Sequence, residues 1–390
     1  MYRLGNPVQT YAWGSRTALA ELRGAPTPTA QPEAELWLGA HPAAPSTVEV
    51  GGVERSLTDV IAADPEALLG PGVLAEFGPR LPFLLKVLAV DQPLSLQVHP
   101  DLDRARTGYA AEQHRGLPAD DPARNYRDPH DKPELLYALT PFDALCGLRP
   151  RAEIEALLGE LGIAELRITP EGGLPGLVGD ILRAPDPARL VTAALATCRA
   201  RVAEGNASAN HRCALELAER YPDDPGVVVA LLLNRIHLRP GQAVYVPPGR
   251  LHVYLSGMGI EIMAASDNVV RGGLTAKRVD VPELMTLLEP SGIRPRLIEG
   301  EADGTGWCRY PAPVPDFALA RATVADAPVV SAVPGPQVLL CVEGALSLAS
   351  AGAGALLQRG QSSFVRADEE VVLTGAGTVF RASTGPPGRS

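Results

Sequence analysis

Residues 241–256, GQAVYVPPGRLHVYLS, leave the backbone little freedom. Gly241 opens an alternating run, Pro247 and Gly249 impose a tight turn, and His252 begins the strand that returns. The pattern predicts a β-hairpin that carries a histidine beside its turn. Short apolar or alternating runs cut by Gly and Pro recur over roughly 1–100, 236–295 and 310–385, which therefore read as strands and turns. Leu81 to Val90 (LPFLLKVLAV), Gln242 to Val246 (QAVYV) and Gln337 to Val342 (QVLLCV) are examples.

Between about 150 and 235 the period changes. Residues 152–161 (AEIEALLGEL), 187–204 (PARLVTAALATCRARVAE) and 210–220 (NHRCALELAER) repeat apolar residues at i, i+3 and i+4, the spacing of helices buried on one side. This block reads as an insertion between two halves of one β unit. GQAVYVPP at 241–248 is echoed by GQSSFVRA at 360–367, which lacks the second glycine and the histidine that follow the first copy. A second β unit without a metal site is expected there. The 390 residues thus divide into a discontinuous first unit (1–149 plus 236–295), a helical unit (150–235) and a C-terminal β unit (296–390).

Residues able to do chemistry concentrate near the hairpin. In LSLQVH (94–99), Gln97 and His99 are two apart, so a strand presents both on one side. Glu134 follows a proline at the start of an apolar run, where a free carboxylate is costly unless paired or bound to a cation. Gln97, His99, Glu134 and His252 together offer two nitrogens and two oxygens, a set that suits zinc with a position left open. Mn²⁺ or Fe²⁺ would accept the same donors. Glu261, Asp267, Asn268, Arg271 and Lys277 cluster in GIEIMAASDNVVRGGLTAK (259–277). Of 35 Lys plus Arg only three are lysines, Lys86 in the Leu81–Val90 run, Lys132 two residues before Glu134, and Lys277 in 259–277. Lysine is a compact charge with a tunable pKa, so its survival in an Arg-rich chain points to chemistry that a guanidinium cannot do.

A net charge of −10 argues against nucleic acid or a membrane surface as the partner. The first residues, MYRLGNPVQTYAWG, lack the layout of a secretion signal, and no apolar run nears the ~18 residues of a membrane span. The five cysteines are scattered, with no CxxC pair, and read as buried reduced thiols. A cytoplasmic protein is expected, with a monomer as the default.

The spacing G-x5-P-x-G-x2-H at 241–252 matches the second signature of the cupin barrels. The chain also resembles the type I mannose-6-phosphate isomerases. That likeness rests on YAWGS (11–15), AELWLGAHPAAPS (34–46), LPFLLKVLAVDQPLSLQVHPD (81–101), NYRDPHDKPELLYALTPFDALCGLR (125–149) and GIEIMAASDNVVRGGLTAK (259–277). The resemblance implies a mainly β fold of two cupin or jelly-roll barrels with a helical insertion. It also implies one zinc per chain, held by Gln97, His99, Glu134 and His252 in the first barrel. Arg271 would be the active-site arginine, with Lys86, Ser95, Lys132 and Lys277 near a sugar phosphate and Asp267 on the same side. The reaction would interconvert mannose 6-phosphate and fructose 6-phosphate through an enediol, with Lys132, Glu261 or Asp131 in the proton transfer. Asp131 is a departure, since the family's usual P-N-H-K-P-E-L reads PHDKPEL here, from Pro129 to Leu135. An iron-dependent cupin dioxygenase and a sugar-binding cupin without catalysis are the competing expectations.

Overall fold

The computed structural model describes residues 1–386 except 119, 164, 352 and 368. Two large antiparallel sheets dominate, of eleven and nine strands, with a block of helices against the first. The organising element of the first sheet is the thirteen-residue strand His252–Ala264. Its C-terminal part pairs with Phe83–Val90 on one side and Glu134–Ala138 on the other. Its N-terminal part pairs with Phe142–Leu148 and with Gln97. Glu35–Leu38 continues the sheet beyond Phe83–Val90. Among the described residues no pairing joins the edge strand Val8–Gln9 to the far edge Leu297–Ile298, so the hydrogen-bonded path is open rather than a closed barrel.

Period-two alternation divides this sheet into two faces with different work. Phe83, Leu85, Val87, Leu135, Tyr137, Ile260 and Ile262 join one buried cluster with Val338, Leu340, Phe364 and Phe380 of the second sheet. Each such side chain contributes about 1.5–3 kcal/mol on burial, so this face holds the two sheets together. The intervening residues (Lys86, Leu88, Val90, Glu134, Leu136, Ala138 and Glu261) point the other way, and Tyr254 joins them across the register shift between Tyr254 and Ser256. The apolar ones among them form a separate cluster with Phe142 and Cys146, and the polar ones are left at its mouth.

The helices Arg151–Leu161, Gly173–Leu182, Pro187–Ala203, Ala209–Arg220 and Gly226–Leu231 occupy the stretch where the period changes. Their apolar stripes share a core with Leu96, Val98, Leu251, Val253 and Val270. The helical block therefore backs the strands whose alternate residues are Gln97 and His252.

Two regions differ from the sequence reading. Residues 57–63 are helical, and so are 65–77 apart from a kink at Gly70, although 1–100 reads as strands and turns. The cause is capping. Ser56 Oγ accepts from Asp59 N, Asp64 Oδ1 accepts from Ala67 N, and Pro65 sits at the first helical position. The N-terminal strand Tyr2–Leu4 pairs with Ser362–Val365 and so extends the second sheet, not the first. Of the five cysteines, all free, four are buried and Cys308 is partly so. Among the described residues no helix is long and apolar enough to cross a membrane.

Candidate active site

His252 lies where the returning strand begins, and Gln97 is its partner in register. His99 follows one residue beyond the short strand Gln97–Val98. Glu134 is the first residue of its strand. All three of His99, Glu134 and His252 are buried, and their ligand atoms lie within 4.8 Å of one another. The histidine Nδ1 atoms sit against backbone carbonyls, His99 with Asn268 O at 2.7 Å and His252 with Arg250 O at 2.9 Å. Carbonyls only accept, so both Nδ1 atoms carry the hydrogen and both Nε2 atoms present lone pairs. Those lone pairs face the Glu134 carboxylate, at 3.1 Å from His99 and 3.4 Å from His252. His99 Nε2 is buried with no hydrogen-bond partner.

Three acceptors in such proximity repel unless a cation lies between them. The protonation states favour a metal over a proton. Burial pulls the His99 imidazole down to about 4. Burial pushes the Glu134 carboxyl the other way, yet His99 and Lys132 hold it well below its ordinary range. Neutral imidazoles and an ionised carboxylate are the ligating forms. The donors, all nitrogen and oxygen, fit one divalent ion, with the Gln97 amide adjoining.

The triad opens into a cavity of about 580 Å³, and the chain's three lysines all line it. Lys132 Nζ is 3.5 Å from Glu134 Oε1. Lys86 stands between Trp37 and Glu261 in the register of three adjacent strands. Its Nζ lies 3.3 Å from Glu261 and 3.5 Å from Glu35, with the Trp37 ring centroid at 5.2 Å. Burial opposes the charge on Lys86, but the two carboxylates outweigh it and raise the ammonium above its ordinary value. Glu261 is raised in turn, first by burial and then by the Glu134 charge.

The cavity lining also includes Arg127, Arg271 and Lys277. Among the described residues, no carboxylate lies within 4.0 Å of any of the three (the ion pairs run elsewhere, for example Arg104 to Glu283). Burial and the Arg127 charge lower Arg271, while burial, Arg271 and Arg127 lower Lys277. Three cations facing one space without a counter-charge form a site for an anion such as a phosphate.

Residues 1–151 match the family described as phosphomannose isomerase type I, catalytic domain. A mannose-6-phosphate isomerase of Escherichia coli (strain K12) is 39% identical over 98% of this chain and 99% of its own. The chain belongs to the type I phosphomannose isomerase family. The human mannose-6-phosphate isomerase is 32% identical over 96% of this chain and 95% of its own. A crystal structure of a phosphomannose isomerase mutant from Salmonella typhimurium superposes with a TM-score of 0.91 at 38% identity, covering 98% and 99% of the two chains. A zinc-bound mannose 6-phosphate isomerase superposes with a TM-score of 0.89 at 37% identity, covering 99% of each.

Against that family background, the structure brings together most of the expected residues. Lys86, Ser95, Gln97, Lys132, Glu134, His252, Glu261, Asp267, Arg271 and Lys277 line the cavity, with His99 behind it in the triad. Asp131 is not among the residues that line the cavity. It sits instead among Asp101, Arg106 and Arg80, and its carboxyl is raised chiefly by burial. His130 turns the same way, its Nδ1 3.3 Å from an Arg80 guanidinium nitrogen.

Asp131→Asn should therefore leave the kcat–pH profile superimposable on the parent. Stability should respond instead. A carboxyl raised in the folded state binds its proton more tightly there, so it costs stability as pH rises above the unfolded value of about 4. Asp131→Asn should melt higher than the parent at pH 7.5 and no higher at pH 4, by scanning calorimetry. A lower kcat with a displaced pH limb would return Asp131 to the chemistry.

Sequence reasoning missed Glu35, Trp37, Arg127 and Tyr254, all of which line the cavity. Tyr254 had a signal, since it is two residues after His252 and shares its face; its hydroxyl donates to Glu134 Oε2 at 3.4 Å. Glu35 and Trp37 reach the site only because their strand pairs with the one carrying Lys86, a long-range register that local pattern does not reveal.

Proposed function

We propose that this protein interconverts mannose 6-phosphate and fructose 6-phosphate, with one zinc ion held by Gln97, His99, Glu134 and His252. The observation that carries the reading is the cavity itself, which joins a metal-ready triad, a buried Glu–Lys–Glu row and three unpaired cations. When bound, the metal supplies polarisation of the sugar oxygens at C1 and C2 without redox chemistry. The chain's own groups do the rest. Arg127 and Lys277 take the phosphate and so orient the reacting carbons. Glu261, less acidic than an ordinary carboxyl, removes the C2 proton of the open-chain aldose and returns it to C1. The hydroxyl proton moves from O2 to O1, so the step is balanced. Lys86 holds Glu261 in place, Arg271 faces the enediolate charge, and Ser95 and Asp267 contact sugar hydroxyls.

Two cupin-like jelly rolls, the first interrupted by the helical unit and the second without metal, are the architecture we propose around this site. The two antiparallel sheets and the helices behind Gln97 and His252 support that division. The free cysteines suit the reducing cytoplasm.

A coupled assay on mannose 6-phosphate, with glucose 6-phosphate as the control, tests the reading; no turnover of the mannose phosphate by the zinc-loaded protein would overturn it. Within the reading, Lys132→Arg keeps the charge but replaces a compact ammonium 3.5 Å from Glu134 by a planar fork. It should lower kcat/KM by roughly 10–100-fold, the usual effect of disturbing a partner of a metal ligand. Parent-like kinetics in that variant would mean that only the charge matters at 132.

A further inference from the structure

We infer that Asn268 is a positioning residue that locks the metal side of the cavity to its phosphate side. The inference rests on the proposed function for its kinetic test, though not for its metal test. Asn268 is fully buried and lines neither the cavity nor the triad. It works at both ends of itself. Its backbone carbonyl takes the His99 Nδ1 hydrogen at 2.7 Å, which fixes that ring's tautomer and aim. Its side-chain amide grips a different segment. Oδ1 accepts from Arg127 N at 2.7 Å and Asp128 N at 3.3 Å, while Nδ2 donates to Asp128 O at 2.8 Å and His130 O at 2.7 Å. A carboxamide has two lone pairs and two hydrogens, and this loop engages all four.

Asp128 closes the clasp from the other side. Its carboxylate accepts from Ser266 Oγ at 2.9 Å, Asp267 N at 2.8 Å and His130 N at 3.0 Å. Segments 127–130 and 266–268 are thereby fixed to each other. The first carries Arg127 and leads into Lys132 and Glu134. The second holds His99 and leads into Arg271, which pairs in register with Gln97. One side chain therefore sets the distance between the anion-binding cations and the metal ligands. Proximity catalysis is sensitive to that distance, since a misplacement of about 1 Å can cost 10²-fold in rate.

A clasp of purely structural use would make the same bonds, so the test reads what stability alone does not move. Asn268→Asp keeps the shape and the Oδ1 acceptor but loses both donors and sets a carboxylate against two carbonyls. Measured on the zinc-loaded protein, KM for mannose 6-phosphate should rise and kcat/KM fall by roughly 10–100-fold. Zinc release into a colorimetric chelator should quicken by a similar factor. Asp128→Asn loosens the same clasp from the opposite segment and should move both readouts in the same direction. It also decides the matter if Asn268→Asp does not fold. Folded variants whose KM and zinc release stay within about twofold of the parent would overturn the inference, whatever their melting temperature. If the parent itself fails to turn over mannose 6-phosphate, the proposed function fails, and zinc release alone then decides the role of Asn268.

Discussion

Arg271→Ala should lower kcat for mannose 6-phosphate by roughly 10²–10³-fold, the loss seen when one group that stabilises an oxyanion is removed. Its zinc content should stay at the parent level. The physical reason is position. Arg271 pairs in register with Gln97 and lines the same cavity as the triad and Lys277. Among the described residues no carboxylate lies within ion-pair distance of it to absorb its charge. Under the proposed function, the sugar in its enediolate form would be the anion that it meets. Because Arg271 touches no ligand of the triad, its removal should leave metal binding alone. A kcat within a few-fold of the parent would remove the residue from the mechanism. A loss of zinc in parallel would mean that it acts on the metal site instead.

A still larger effect is expected from His252→Ala. The variant should retain little zinc, and kcat/KM should fall by at least ~10³-fold, since a metal's charge stabilisation is worth several kcal/mol. The fold should survive. Besides Glu134, the His252 ring meets Arg250 O of its own hairpin, and the strand keeps its pairing with Phe142–Leu148 through the backbone. Elemental analysis, circular dichroism and the coupled assay separate these outcomes. Adding zinc should restore a chelator-treated parent and leave His252→Ala inactive. Full metal content in the variant would show that the ion sits elsewhere.

Much of this was legible in the sequence, for reasons that differ residue by residue. The hairpin at 241–256 follows from Pro247, Gly249 and strand alternation, which are local. The facing of Gln97 and His99 follows from their spacing. The importance of Lys86, Lys132 and Lys277 came from scarcity, and one cavity collects all three. What failed was non-local or hidden by its neighbours. Glu35 and Trp37 depend on which strand pairs with Phe83–Val90. Asn268 stood in a polar run that any exposed loop could carry, and its burial is visible only once segments 127–130 and 266–268 meet. For Asp131, a motif marks a position and leaves open which way the backbone aims it. The helices at 57–77 were signalled by Ser56, Asp64 and Pro65, and were overlooked beside the surrounding strand pattern.

The central claim is one cavity in which a single zinc ion and the surrounding cations act together on a sugar phosphate. Titrating the chelator-stripped protein with zinc while following mannose 6-phosphate turnover tests this most directly. Turnover should be absent at the start, rise in proportion to added zinc, and level off at about one equivalent per chain. Full turnover without zinc, or none at any zinc concentration, would contradict it.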